Sequence, residues 1–370
     1  MFYHLKILAE RLAVKYLTSY LLLSFLLNLV PVSAQNDTTE AKEQKQYPHE
    51  QELSLFGSDE VLNISIYFDL GAFLKKANKT DSFTGEMIIN PGEADSIHKP
   101  VKLKYRGISR GEICSFPPIE LNFTKPLYAD SGKIKKLKLV THCEPSSITD
   151  DYVIREYLVY KLFNALTDTS LRVRLVKVNY IDNRKNKKTI IKYGILIEPI
   201  DMLAKRTNTM VVKTTTLNQN LMVPKIMDRM AIFYYMVANW DWSVAGQHNV
   251  KILKPLTYDA EGLGIVLPYD FDLTGVVNAD YAIPPPDMNI ENVRERIYAG
   301  PCRTKEVYMY GLREFINSRE KIYSAVANCT QLSQRSKKDV TMYLDSFFDQ
   351  LEKPKAQERL IENFAATCKY

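Results

Sequence analysis

Apolar and polar positions change period once along this chain, and the change divides it. Between about residue 53 and residue 200, apolar residues mostly alternate with polar ones, the period of a strand with one buried face. Leu62-Asn63-Ile64-Ser65-Ile66-Tyr67-Phe68 and Val101-Lys102-Leu103-Lys104-Tyr105 alternate cleanly, and Ile119 to Phe123 and Leu137 to Val140 continue the pattern. Asn90-Pro91-Gly92 marks a turn between strands. One stretch in this region reads as a helix instead. Thr149-Asp150-Asp151 offers a cap and early acids, and Val153, Ile154, Tyr157, Leu158, Leu162, Phe163 and Leu166 form an apolar stripe. Strands over Leu171 to Ile181 and Thr189 to Ile197 follow, with the basic run from Asn183 to Lys188 as a polar tip between them.

Beyond residue 200 the helical period takes over. Pro224 opens a helix predicted to run to about Ala238, and Val250 to Leu273 reads as a hairpin or two short strands. From about Asn289 to the end, Tyr, Phe, Ile and Leu recur at helical spacing. Strands early and helices late define an α+β class. The expected organisation is a strand-rich lobe over 53–200, a mostly helical lobe over 201–370, and a cleft between them.

The N-terminal residues carry a different pattern. Lys6, Arg11 and Lys15 precede the apolar run Leu21 to Val30, and Val32-Ser33-Ala34 fits a small-residue cleavage site. This reads as a secretory signal over 1–34, followed by a polar, flexible lead-in over 35–52. The apolar run is shorter than the roughly 20 residues that span a bilayer. The expectation is therefore an exported protein, in the periplasm or at the cell surface, with no transmembrane segment after cleavage. The net charge of +6 is mild and dispersed, so nucleic acid is not an expected partner. Export permits disulfides among Cys114, Cys143, Cys302, Cys329 and Cys368. Cys114 can bridge to Cys143, Cys302 to Cys329 or Cys368, and the odd count leaves one over. There is no G-x-S-x-G and no H-E-x-x-H, which disfavours serine hydrolases and zinc proteases.

Candidate chemistry gathers in two acidic clusters. One is Asn239-Trp240-Asp241-Trp242 followed by Gln247-His248-Asn249; the other is Pro268-Tyr269-Asp270-Phe271-Asp272. Both lie among apolar residues, where a carboxylate is costly unless paired. If Tyr269 to Leu273 is extended, Asp270 and Asp272 share a face roughly 6–7 Å apart and repel unless a cation lies between them. A Mg²⁺ ion with phosphate oxygens would relieve that repulsion, with Asn249 as a neutral contact and Asp241 as a nearby base. Turn and cap roles are the blander reading of the same acids, and His248 reads as a structural hydrogen-bonding residue. Upstream, Arg106-Gly107-Ile108-Ser109-Arg110-Gly111 is a turn whose arginines, hydroxyl and backbone N–H groups can hold phosphate. Lys138 on a strand can reach the α/β-phosphates, and Glu156 on the following helix can pair with it. The order of these parts is the order in a protein kinase.

With these motifs the chain resembles the CotH family of atypical, secreted protein kinases over roughly residues 100 to 275. The strand and turn from Val101 to Arg110, Lys136-Leu137-Lys138-Leu139, and the helix from Tyr152 to Leu166 resemble that family's first half. Tyr193 to Ile200 resembles its hinge strand, and the two acidic clusters resemble its catalytic loop and its P-W-D-x-D metal segment, with Tyr269 in place of Trp. The resemblance implies a two-lobed, kinase-like fold. It implies transfer of the ATP γ-phosphate to Ser or Thr of an envelope or exterior protein, with Mg²⁺ or Mn²⁺. By the same resemblance Asp241 is the base, and Asn249, Asp270 and Asp272 hold metal. Arg106, Ser109, Arg110, Lys138 and Glu156 lie near the phosphates, and Glu198 lies beside adenine. The chain departs from the ordinary kinase pattern in having no G-x-G-x-x-G loop, and Asn249 follows Asp241 by eight residues. A non-catalytic surface or scaffold protein on the same fold is the alternative, and a metal-dependent phosphate hydrolase a third.

Overall fold

Seven strands, β1 (Leu62–Phe68), β2 (Ser82–Ile89), β3 (Ile97–Tyr105), β4 (Ile119–Ala129), β5 (Gly132–Val140), β6 (Val173–Asp182) and β7 (Thr189–Ile197), close into a barrel in the order β1-β2-β3-β4-β5-β7-β6. The computed structural model describes residues 53–75, 81–107, 109–184, 188–213, 217–257, 263–288 and 290–369, without the side chains of Ser109 and Asp287. The expected signal (1–34), the lead-in (35–52) and residues 185–187 of the basic tip lie outside the described residues.

Closure comes from a parallel seam in which β6 runs beside β1, Leu62 opposite Val176, while the other seams are antiparallel. Alternation decides which side chains go inside. Ile64, Ile66, Phe68, Val101, Leu103, Leu121, Leu137, Leu139, Val176, Val178 and Tyr180 form one buried cluster, while Lys102 and Lys104 in the alternate positions of β3 are exposed. The short helix α1 (Leu70–Leu74), capped by the Asp69 carboxylate, sets Phe73 against Phe68, Tyr105 and Phe116. Gly194 is required where β7 meets β5, since a Cβ there would come within 2.9 Å of the Val140 carbonyl.

Helix α2 (Ser109–Ile113) is a single turn after β3, and α3 (Ile148–Asn164) is the long helix of this half. From Tyr152 to Leu162 every residue of α3 except Lys161 is buried, Arg155 and Glu156 included. The helix packs against β6 and β7 on one side and a C-terminal helix on another, so it is covered all round rather than amphipathic.

The second half is built on α4 (Ile200–Arg206), β8 (Thr209–Val211), α5 (Pro224–Val237), β9 (Val250–Pro255) and β10 (Ile265–Pro268), with β10-β9-β8 an antiparallel sheet. Three helices finish the chain: α6 (Lys305–Asn328), α7 (Gln334–Glu352) and α8 (Pro354–Thr367). Their apolar stripes bury Leu312, Phe315, Phe347, Phe348 and Phe364 in a core that also holds α3 and α5. Arg155 ties three parts together, donating to Asp151, to Asp339 on α7 and to the Val276 carbonyl. Disulfides join Cys114 to Cys143 and Cys302 to Cys368, leaving Cys329 as a buried thiol. The protein is thus mixed α+β, strand-rich first and helical later. Among the described residues no helix is long and apolar enough to cross a membrane.

Candidate active site

Helix α5 stops where the first acidic cluster begins. Ala238 turns left-handed at φ +51°, and its N–H and that of Asn239 bond back to Tyr234 and Tyr235 carbonyls. The buried Asn239 then holds the chain, its Oδ1 accepting from the Asp241 backbone N–H at 3.0 Å. Both Asp241 carboxylate oxygens have partners: His248 Nε2 lies 2.7 Å from Oδ1, and Asn249 Nδ2 donates to Oδ2 at 2.8 Å. The loop is closed by mutual backbone bonds between Ser243 and His248, with the Trp242 ring 5.1 Å from that of Tyr234. His248 therefore bonds directly to the candidate base, a stronger placement than its sequence context indicated.

The second cluster is not an extended strand. Strand β10 ends at Pro268, and Asp270 sits at φ +64°, left-handed, so the even spacing of Asp270 and Asp272 along one strand face is corrected. Two anchors impose this shape. The Tyr160 hydroxyl on α3 accepts the Asp270 N–H at 3.0 Å, and Phe271 is buried edge-on against Tyr160 and Phe233. The two clusters are also joined directly, because the Asn249 carbonyl accepts both the Tyr234 hydroxyl and the Tyr269 N–H. Downstream, the Gly275 N–H bonds the Ala238 carbonyl, where a Cβ would lie 2.9 Å from Ala238 Cβ and Arg294 Cα.

From the strand-rich half, Arg110 reaches the same place. Its Nη2 donates to the Thr141 carbonyl at 2.8 Å, its Nη1 to Glu156 at 3.3 Å, and its Nε lies 3.6 Å from Asp272. The expected Lys138–Glu156 pair is corrected: the helix glutamate meets the turn arginine. Lys138 instead lies 5.3 Å over the Tyr269 ring, with Lys251 from β9 over the same ring at 4.5 Å. Nothing in the sequence around Lys251 signals that placement. Burial pulls the Lys138 ammonium down to about 8, helped by Arg106 and Lys251. Burial likewise pushes the Glu156 and Asp272 carboxyls upward; Arg110 opposes the rise and the neighbouring carboxylates add to it.

These parts surround one cavity of about 280 Å³, lined by Arg106, Arg110, Lys138, Asp241, His248, Asn249, Tyr269, Asp270 and Asp272 among others. Ser109 begins α2, but its side chain is outside the described set. A second cavity of about 440 Å³ adjoins it, sharing Lys138 and Tyr269, with Leu171, Ile197, Pro199, Ile200 and Met202 as apolar lining. Glu198 lines this second cavity, but its buried carboxylate is taken up by Arg172 and Arg206.

The donor set of Asp241, Asn249, Asp270 and Asp272 is all oxygen and amide, chemistry that fits a hard divalent cation. Burial makes the charged form of Asp272 costly, which added positive charge would relieve. Among the described residues no three His, Cys, Asp or Glu side chains stand close enough to hold a metal as they are, and Asn249 directs its amide nitrogen to Asp241.

No protein-family model matches the chain, and no curated protein matches it. Among solved structures the chain is similar to the crystal structure of a Helicobacter pylori proinflammatory kinase, CtkA, at 12% identity, over 75% of this chain and 94% of that one, with a TM-score of 0.33.

Proposed function

We propose that the protein is an exported atypical kinase that transfers the γ-phosphate of ATP to a Ser or Thr hydroxyl of a secreted or envelope protein. One observation carries this reading: Asp241, Asn249, Asp270 and Asp272 share a cavity with Arg106, Arg110 and Lys138 from the other half of the chain. Acid and amide groups on one wall and cations on the other suit phosphoryl transfer, which is mostly positioning and charge stabilisation. The acceptor oxygen would attack the γ-phosphorus as the bond to the β-phosphate bridge breaks, and Asp241 would take the hydroxyl proton. His248 and Asn249 orient that carboxylate. Arg106 and Lys138 would neutralise phosphate oxygens, and the apolar second cavity would take the base. Asn249, Asp270 and Asp272 would hold Mg²⁺ or Mn²⁺, which when bound neutralises charge on the phosphates.

A second reading rests on a specific observation. Asp272 is engaged by Arg110, both Asp241 oxygens are occupied, and no three-ligand metal cluster stands ready among the described residues. A non-catalytic surface or scaffold protein would look like this. Thermal melting separates the two: Mg²⁺ with ATP raises the melting temperature of a kinase, and Asp270→Ala abolishes the rise. No shift with any nucleotide or divalent ion would favour the scaffold. If Asp241→Ala keeps the shift but loses phosphate transfer to protein, a kinase is favoured over a hydrolase.

A further inference from the structure

The outer face of the barrel next to the candidate site is basic in two adjacent rows. Register places Lys104 on β3 opposite Glu120 on β4, and Glu120 opposite Lys138 on β5. The next row on the same face runs Lys102, Asn122, Lys136. Strands lie about 4.8 Å apart and alternate residues about 6.8 Å apart, so four lysines stand at the corners of a rectangle roughly 10 Å by 7 Å. Glu120 is the one acid within it, and its ion pair is with Lys136 at 3.7 Å. On the β2 side the neighbours are Ser82 and Thr84, which add no negative charge. Lys102, Lys104 and Lys136 are exposed, and Lys138 at the far corner opens into both cavities, where Lys251 lies across from it.

We propose that this lysine face of β3, β4 and β5 docks an acidic, extended segment of the acceptor protein and leads it toward Asp241. As a binding surface it stands by itself; as acceptor docking it rests on the kinase reading. Charge complementarity selects the partner, because three lysines of the four have no acid paired to them within the rectangle. Over these rows β3 and β4 are hydrogen-bonded on both sides, and β5 pairs with β7 only from Lys138 to Val140, so along β3 and β4 a peptide cannot join as an added strand and must be read by side chains. The two rows hold Lys, Glu and Asn, and the ring nearest them, Tyr269, lies under Lys138 and Lys251 at one corner, so a single-stranded nucleic acid finds no row of rings along the face to stack its bases on.

The test uses fluorescence anisotropy without nucleotide, so that its outcome is separate from phosphate transfer. The probe is a labelled peptide alternating Glu with Ser, and its control carries Gln in place of Glu. The acidic peptide should bind more tightly than the control and weaken as sodium chloride is raised. Lys102→Glu/Lys104→Glu should cost at least roughly tenfold in its affinity with the melting temperature unchanged. Lys102→Gln/Lys104→Gln, expected to weaken binding less, serves if charge reversal prevents folding. Equal binding of the Glu and Gln peptides overturns the proposal, as does no loss in either variant. Tighter binding of oligothymidylate, or of vesicles of phosphatidylserine and phosphatidylcholine in equal parts, also overturns it. Acid-selective binding without any phosphate transfer would leave the docking face standing and remove the kinase reading.

Discussion

Arg110 Nη1 lies 3.3 Å from Glu156 Oε2, with 9% and 2% of the two side chains exposed, so a turn after β3 is fastened to the middle of α3 by a buried ion pair. The same guanidinium reaches Asp272 and the Thr141 carbonyl. Arg110→Ala would leave Glu156 and Asp272 buried without their cation, at a cost of about 3–5 kcal/mol of unfolding free energy. Urea denaturation measures this. The double variant Arg110→Met/Glu156→Leu should recover the Glu156 part of the loss, while Asp272 still lacks its cation. A loss under about 1 kcal/mol for Arg110→Ala would place the pair among ordinary surface bridges instead.

Acid stability should depend on His142. The ring is buried against Phe116 and Tyr180, and burial holds its imidazole down to about 3, with Lys192 and Arg110 adding to the effect. The unfolded chain takes up this proton near pH 6.5 and the folded one does not until far lower, so between those values the unfolded state binds more protons. Stability therefore falls as pH drops below about 6.5, by about 2 kcal/mol at pH 5 from this group. His142→Phe keeps the ring packing and removes the titration. Denaturation midpoints of the variant should fall less than those of the native protein between pH 7 and pH 5.

Nucleotide affinity should fall on the alkaline side. Lys138 is held down to about 8 by burial, Arg106 and Lys251, so it loses its charge as pH rises past that value. If it contacts phosphate, ATP binding weakens between pH 7 and pH 9. Lys138→Arg should remove that dependence while retaining affinity, since a guanidinium stays charged. Calorimetric titration at the two pH values decides it, and identical alkaline weakening in the arginine variant would place the titrating group elsewhere.

Reducing agent should loosen the Arg110 turn. Cys114, four residues beyond Arg110, is bonded to Cys143, two residues beyond the Thr141 carbonyl that Arg110 engages. By chain entropy a loop of this length contributes about 3–4 kcal/mol. Cys114→Ser/Cys143→Ser should lower stability by that order and weaken nucleotide binding in the same protein. Opening Cys302–Cys368 by the corresponding serine variants should lower stability while leaving nucleotide affinity nearly unchanged, as that bond lies at the end of the helical region.

Local elements were legible because each writes its period into its own residues. Strands β1, β3 and β7, helix α3 and the Pro224 helix lie where alternation and apolar spacing put them. Legible too were the acidic clusters, since Asp241, Asp270 and Asp272 stand out against apolar neighbours. Sequence alone therefore determined an α+β chain, an odd cysteine count and the two acidic clusters. Tertiary structure decided what depends on groups far apart in the chain. The parallel β1–β6 seam joins residues more than a hundred positions apart and closes the barrel, a pairing that no local period encodes. Glu156 took Arg110 rather than Lys138 because a buried charge is matched by whichever cation packing brings within reach. Asp270 left the extended conformation because the Tyr160 hydroxyl on α3 and the burial of Phe271 between α3 and α5 outweigh the local preference of a few residues.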